Sequence, residues 1–244
     1  MLRFRPYPGF TAAAAILFVI LCGLGVWQVQ RLHWKLGLIA EVTARTQAVP
    51  IPASDALALL PAAAQYRRVT LHGIFNHAQE NYVFVTASGG DAVYHVLTPF
   101  FVEESSSGSH WLMVDRGAVP KDRLDPDSRK SGNIVGTATV TGIWRTPDAA
   151  GPFTPVPDLS HRIWYSRDLV AMTRADGITL AAPVVIEADA TPNPGGWPRG
   201  GQTVVDLPNN HLSYAVTWLG LAACLLGVWL AYHISKGRLV WRKG

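Results

Sequence analysis

The chain has 244 residues, 49% of them hydrophobic and 16% charged, with a net charge of +4 and a mean hydropathy of +0.16. A charged share below the usual ~25% excludes a disordered polar tail and argues against an ordinary soluble enzyme, and so mild a charge does not call for nucleic acid. Two cysteines, Cys22 and Cys224, are too few for a disulfide framework or a Cys-rich metal site.

The missing charge is localised. Residues 6–30 hold no Asp, Glu, Lys, Arg or His, and residues 207–235 hold only His211 and His233. A bilayer core of roughly 30 Å needs about 20 apolar residues at ~1.5 Å rise each. The pattern therefore predicts transmembrane helices over 10–30 and 208–234, tails over 1–9 and 235–244, and a central domain over 31–207. The first run starts like a signal peptide after Arg3 and Arg5. It then continues into Trp27, Gln28, Arg31, Trp34 and Lys35 with no small-residue cleavage site, so it reads as a retained anchor. Two spans put both tails on one side. Arg3, Arg5, Lys236, Arg238, Arg242 and Lys243 outnumber Arg31, Lys35, Arg45 and Arg199, which places the tails in the cytoplasm and the central domain in the periplasm.

After the first span, Trp27, Arg31, Trp34 and Leu38 keep helical spacing through 31–46, until Pro50 and Pro52 end the helix. A short helix follows Ser54 over 55–60. Alternating stretches at 66–75, 81–86, 92–98, 110–115 and 134–143, with 184–187, predict an antiparallel sheet or small barrel. One helix is expected over 168–174, ended by Asp176 and Gly177. A polar turn at 103–109 and a Gly/Pro loop at 192–201 complete the domain.

No dinucleotide, phosphate-loop, nucleophile-elbow, zinc-protease or c-type haem motif is present, so an enzyme mechanism has no motif support. Asp115, Asp122 and Asp125 read as solvated loop and turn residues. His72, His77, His95, His110 and His161 share no metal-ligand spacing and read as strand or turn residues. Cys22 and Cys224 read as small buried hydrophobes, and His233 as an interfacial residue.

At the start of the second span, His211, Tyr214, Ala215, Trp218 and Ala222 share a helix face, and Asn209 or Asn210 can cap the helix. Two readings stand. The face is an interfacial His in an aromatic belt, or it holds a flat ring. In the second case His211 is the axial ligand of a haem iron, Ala215 and Ala222 leave space, and Tyr214 and Trp218 flank the ring. Gly23 and Gly25 permit close helix approach, bringing Arg31 and Lys35 near the level of His211. Those cations either snorkel at the span end or balance two propionates.

Seven stretches in order carry a resemblance. They hold Leu24, Gly25, Trp27, Gln28, Arg31, Trp34 and Lys35; Tyr66, Arg67, Gly73, Phe75 and His77; and Leu97, Thr98, Pro99 and Phe100. Val114, Arg116, Gly117 and Pro120 follow, then Trp164, Arg167, Asp168 and Leu169. Last come Pro194, Gly196, Gly200, Gly201, Gln202 and Thr203, with Asn210, His211, Leu212, Tyr214, Thr217 and Trp218. With the two-span topology, they resemble the surfeit-locus family of cytochrome c oxidase assembly factors. Ala118 stands where the family commonly has an aromatic.

The resemblance implies an α+β membrane protein with an extracytoplasmic, mostly antiparallel β domain. It implies a non-enzymatic chaperone that binds haem a and helps place it in the oxidase catalytic subunit, with haem a synthase as a further partner. It assigns haem to His211. A span beginning within about ten residues of Met1 leaves no room for a transit peptide, which points to a bacterial inner membrane. Gly73 and the stretch Arg116 to Pro120 read structurally, as a bulge or turn and a strand stop. The competing expectation is a scaffold that stabilises an oxidase intermediate through its β domain, without haem transfer.

Overall fold

A computed structural model describes residues 2–86, 90–103, 110–147, 150–203 and 207–241. The polar turn expected at 103–109 (all but Glu103), Arg242 and Lys243 lie outside the described residues. In chain order the elements are β1 (Leu2–Phe4), α1 (Pro8–Gln47), β2 (Ile51–Pro52), α2 (Ala53–Leu57) and α3 (Pro61–Ala64). Then come β3 (Arg68–Phe75), β4 (Asn81–Thr86), β5 (Ala92–Val102), β6 (His110–Pro120), β7 (Thr137–Arg145), β8 (Ile163–Trp164), α4 (Leu169–Asp176) and β9 (Leu180–Ala188). The chain closes with α5 (His211–Ser235) and β10 (Leu239–Trp241). They form two compact units, Met1–Glu41 with Asp206–Gly244, and Val42–Val205.

In the first unit, α1 and α5 are both long and apolar enough to cross a membrane, and their apolar windows are only 11% buried. A core helix of a soluble protein would be covered; these leave their sides for lipid. One face of each is covered. On α1 the buried positions are Ala14, Leu21, Gly25 and Gln28, at spacings close to a heptad seam, and on α5 they include Ala215 and Ala222. A Cβ on Gly25 would lie 2.8 Å from Leu219 Cδ2, so a larger residue there would require the Leu219 side chain to shift. Beyond the helices β1 pairs antiparallel with β10, Leu2 opposite Trp241 and Phe4 opposite Leu239. Both tails thus lie on one side, as two spans require. His233, near the end of α5, is fully buried. It donates from Nδ1 to the Trp229 carbonyl (2.8 Å) and accepts the Tyr7 N–H at Nε2 (3.4 Å), inside a box of Phe4, Tyr7, Phe10, Trp229 and Tyr232. The N-terminal segment folds back over it, which helical periodicity cannot show.

The second unit is a closed five-stranded barrel in the order β3-β7-β9-β6-β5, with β3 pairing β5 to shut it. Neighbours are antiparallel except β6 and β9. β4 continues the sheet beside β5, β8 runs parallel to β4, and β2 parallel to β3. Val69, Leu71, Phe100, Leu112, Val114, Val140 and Ile186 fill the interior, with Ala53, Ala56 and Ala64 of α2 and α3 packed on them. Outside, Met113, Leu97 and Val185 pack under Leu169 and Met172 of α4. β6 is therefore buried on both faces. Asp168 caps α4 by accepting the Ala171 N–H, and Gly177 at φ +66° ends it.

Several expected boundaries shift for identifiable reasons. The first strand starts at Arg68, because Tyr66 adopts φ +66°. The strand expected to end at Thr98 runs through Pro99 to Val102. Pro99 falls where β5 leaves β4 (last pair Asn81 with Leu97) and joins β3 (first pair Phe75 with Phe100), so its missing N–H sits at a change of ladder partner. β7 starts three residues later than expected, after Gly136 at φ +84°. α2 starts at Ala53, after Pro52 rather than Ser54. At Gly73, paired on both sides, a Cβ would collide with the Phe101 carbonyl oxygen. Arg116 and Gly117 together oppose Val96, a bulge that Gly117 permits at φ +112°.

That bulge turns Arg116 into the protein, where it is 2% exposed. Its Nη1 donates to Glu80 Oε1 (2.7 Å) and its Nη2 to the Gly132 carbonyl. Arg129 Nη2 donates to the other Glu80 oxygen at 2.6 Å. Burial by itself raises the Glu80 pKa, but bonds from His77 and Arg129 and the charges of Arg129 and Arg116 hold it down to about 2. The same surroundings push the Tyr82 phenol up to about 12, burial first and the Glu80 charge second.

Removing the carboxylate strands two buried guanidiniums, so Glu80→Gln is expected to destabilise the full chain by about 3–5 kcal/mol at neutral pH. Because the folded pKa lies below the ordinary value of 4.5, the ionised carboxylate stabilises the fold fully above about pH 4.5 and ceases to do so as pH falls toward about 2. Denaturation of both proteins from pH 7 to 2 should show the gap narrowing only below about pH 4.5; a gap constant with pH would refute the charged clamp.

Candidate functional site

α5 begins at His211. Asn210 is the capping residue without a side-chain bond, while Asn209 Oδ1 accepts the His211 N–H at 3.4 Å. An imidazole on the first turn of an apolar helix is half-covered, and its partner comes from the other helix. His211 Nδ1 lies 2.8 Å from Gln28 Oε1, and Gln28 is 8% exposed. An amide oxygen only accepts, so in this contact Nδ1 is the donor. A histidine whose one ring nitrogen donates to a fixed acceptor is the usual arrangement for binding a metal or haem iron through the other.

The other sequence-derived site residues distribute differently. Trp218 is half-buried and Tyr214 is 55% exposed. Ala215 and Ala222, expected to leave space for a ring, are each 2% exposed on the face turned to α1. Small residues here let the helices meet rather than open a slot between them. A hollow of about 190 Å³ does lie between the helices, lined by Thr11, Ala14, Phe18, Leu225 and Trp229. It sits some fourteen residues along α5 from His211, about 21 Å at the helical rise. A flat ring on His211 thus fits its nitrogen donor and not the seam; exposed apolar surface beside it is offered by Leu212, Tyr214 and Val216. Arg31 is exposed, with its guanidinium 3.9 Å above the Trp34 ring. Lys35 is half-buried on the same helix. No bond joins either cation to His211 among the described residues.

A second polar centre lies in the barrel. Asp115 is 2% exposed, not solvated, because β6 is covered on both faces. It accepts from His95 Nδ1 (2.8 Å), Arg167 Nη2 (2.8 Å) and the Gly117 N–H (2.9 Å). Burial opposes its ionisation, yet these donors hold its carboxyl below the usual range. Arg167 Nη1 also reaches Glu187 Oε1 at 3.2 Å. The cleft beside this pair holds about 10 Å³, barely one water, so the arrangement braces strands and admits no substrate. Asp122 and Asp125 are exposed, Asp125 capping its turn through the Asp127 N–H. Gln28 was visible in the sequence as a polar residue within a charge-free run; its pairing with a residue 183 positions away was not.

Comparison with known proteins places these features. The family model described as "SURF1 family" matches residues 15–223. A Surfeit locus protein 1 of Takifugu rubripes is 36% identical over 232 residues, covering 88% of this chain and 92% of that protein. The mouse protein of that name is 37% identical over 229 residues, covering 88% and 72%, and a SURF1-like protein of Drosophila melanogaster 32% identical over 232, covering 88% and 74%.

The helix register is directly testable. In a background with Cys22 and Cys224 changed to Ser, Gln28→Cys with His211→Cys should cross-link rapidly through a short bifunctional thiol reagent. Gln28→Cys paired with a cysteine at the exposed Val228 should not. Equal yields in both pairs would disprove the seam.

Proposed function

The chain belongs to the SURF1 family, a family associated with cytochrome c oxidase assembly, and on that premise we propose that it is a membrane-anchored assembly factor that holds haem a for the oxidase catalytic subunit. The observation that carries this reading is the imidazole of His211, held through Nδ1 by Gln28, with no bond to Nε2 among the described residues. Haem a would supply an iron that takes a nitrogen donor and two propionates that take cations.

His211 provides the nitrogen. Tyr214 and Trp218 offer aromatic surface on the same turns of α5, and Arg31 and Lys35 offer positive charge one to two turns beyond Gln28 on α1. Delivery to another protein calls for releasable binding, which one histidine ligand would suit better than two. The role is non-catalytic, and the barrel domain is the part available to the oxidase and to haem a synthase. The excess of Lys and Arg in the tails supports an inner-membrane location with the barrel on the periplasmic side.

Titration of the detergent-purified chain with haem a, followed at the Soret band, should give saturable binding. His211→Ala should weaken it at least about tenfold, a loss of about 1.4 kcal/mol or more. Unchanged affinity and spectrum in His211→Ala would remove His211 from the role; in that case a variant that still supports oxidase assembly would point to the scaffold reading.

A further inference from the structure

The bond that orients His211 comes from a residue to which nothing assigns a role. We propose that Gln28 is the positioning residue of the site: it sets the His211 tautomer and ring plane, so that α1 decides whether the ligand nitrogen on α5 is presented. This rests on the haem reading of His211 and specifies how the ligand is made ready.

Neutral imidazole carries its single proton on either nitrogen, and only the unprotonated one can bind iron. On the first turn of a helix an isolated His side chain turns among rotamers and shares its proton between both nitrogens. Gln28 removes both freedoms. Its amide oxygen stands 2.8 Å from Nδ1, and its own side chain is held because the residue is 8% exposed within the seam. The neighbouring Gly25 lies against the Leu219 side chain at the same seam. Outer partners of this kind typically change metal affinity by about 10–100-fold. Replacing the amide by a carboxylate would draw the Nδ1 proton more strongly and make Nε2 a better donor.

Three measurements test this on the full chain in detergent. In the haem-free protein, ¹⁵N NMR of histidine should show His211 as the Nδ1–H tautomer, with Nε2 unprotonated. Gln28→Leu, which keeps shape and removes the acceptor, should mix the tautomers and weaken haem binding about 10–100-fold. Gln28→Glu should retain binding and lower the midpoint potential of the bound haem, a shift that a residue serving only the packing would not produce. An Nε2–H tautomer in the unchanged protein overturns the proposal. So does a Gln28→Leu variant with unaltered tautomer and affinity. If His211→Ala binds haem like the unchanged protein, the haem reading fails instead, while the haem-free NMR result still stands or falls alone.

Discussion

A charge moved out of water must find its counterpart inside the protein, and the barrel is organised around one such charge. Glu80 is 2% exposed at the start of β4 and is met by Arg116 from β6 and Arg129 from the turn that follows it. Each ion alone would carry a desolvation penalty of several kcal/mol, so none of the three tolerates displacement of the others. The clamp therefore fixes more than its own residues. It pins the 126–132 turn over the barrel end through the Gly132 carbonyl, and it requires the bulge at Gly117 that aims Arg116 inward. A second set, with Asp115 and Glu187 between His95, Arg145 and Arg167, does the same for β5, β6 and β9. The apolar interior supplies the greater part of the driving force; these sets decide which single arrangement of strands it drives toward.

The same constraint acts more severely between two apolar helices, where no water is at hand. His233 meets it with the backbone of its own helix and of the N-terminal segment, using both ring nitrogens, so it is a structural staple. Among the described residues His211 meets it with one nitrogen. That asymmetry separates two histidines that look alike in composition: one has both ring nitrogens bonded, the other one. It also explains why the small residues of α5 sit under His211. Ala215 and Ala222 bring α1 close enough for Gln28 to reach across.

Much of this was legible in the sequence because it depends on short-range pattern. The charge-free runs mark both helices, alternation marks the strands, and Asp168 and Gly177 mark the ends of α4. His211, Tyr214, Trp218, Arg31 and Lys35 stand out by residue type at the span ends. What was not legible depends on pairing at long range. Pro99 looks like a strand stop until β5 is seen to change partners at that residue. Asp115 looks like a surface carboxylate until the strands that cover it are in place, and Glu80 carries no local signal of its buried clamp. The closure of β3 on β5 has no local signature beyond Gly73, whose missing side chain is intelligible only when Phe101 lies against it. Tyr214 and Trp218 share the helix turns of His211 but differ in cover, which depends on how α5 is rotated against α1 and not on spacing.

β1 pairs with β10, and α1 finds its companion helix only in the last 34 residues (211–244) of the sequence. During synthesis, at roughly 5–20 residues per second, α1 waits about 10–40 s in the bilayer before a residue 183 positions downstream reaches Gln28. The barrel, contiguous in between, has all its strands before then. The newborn protein thus completes its barrel strands first and its helix pair last, so an interrupted chain would hold the barrel without the bond between Gln28 and His211.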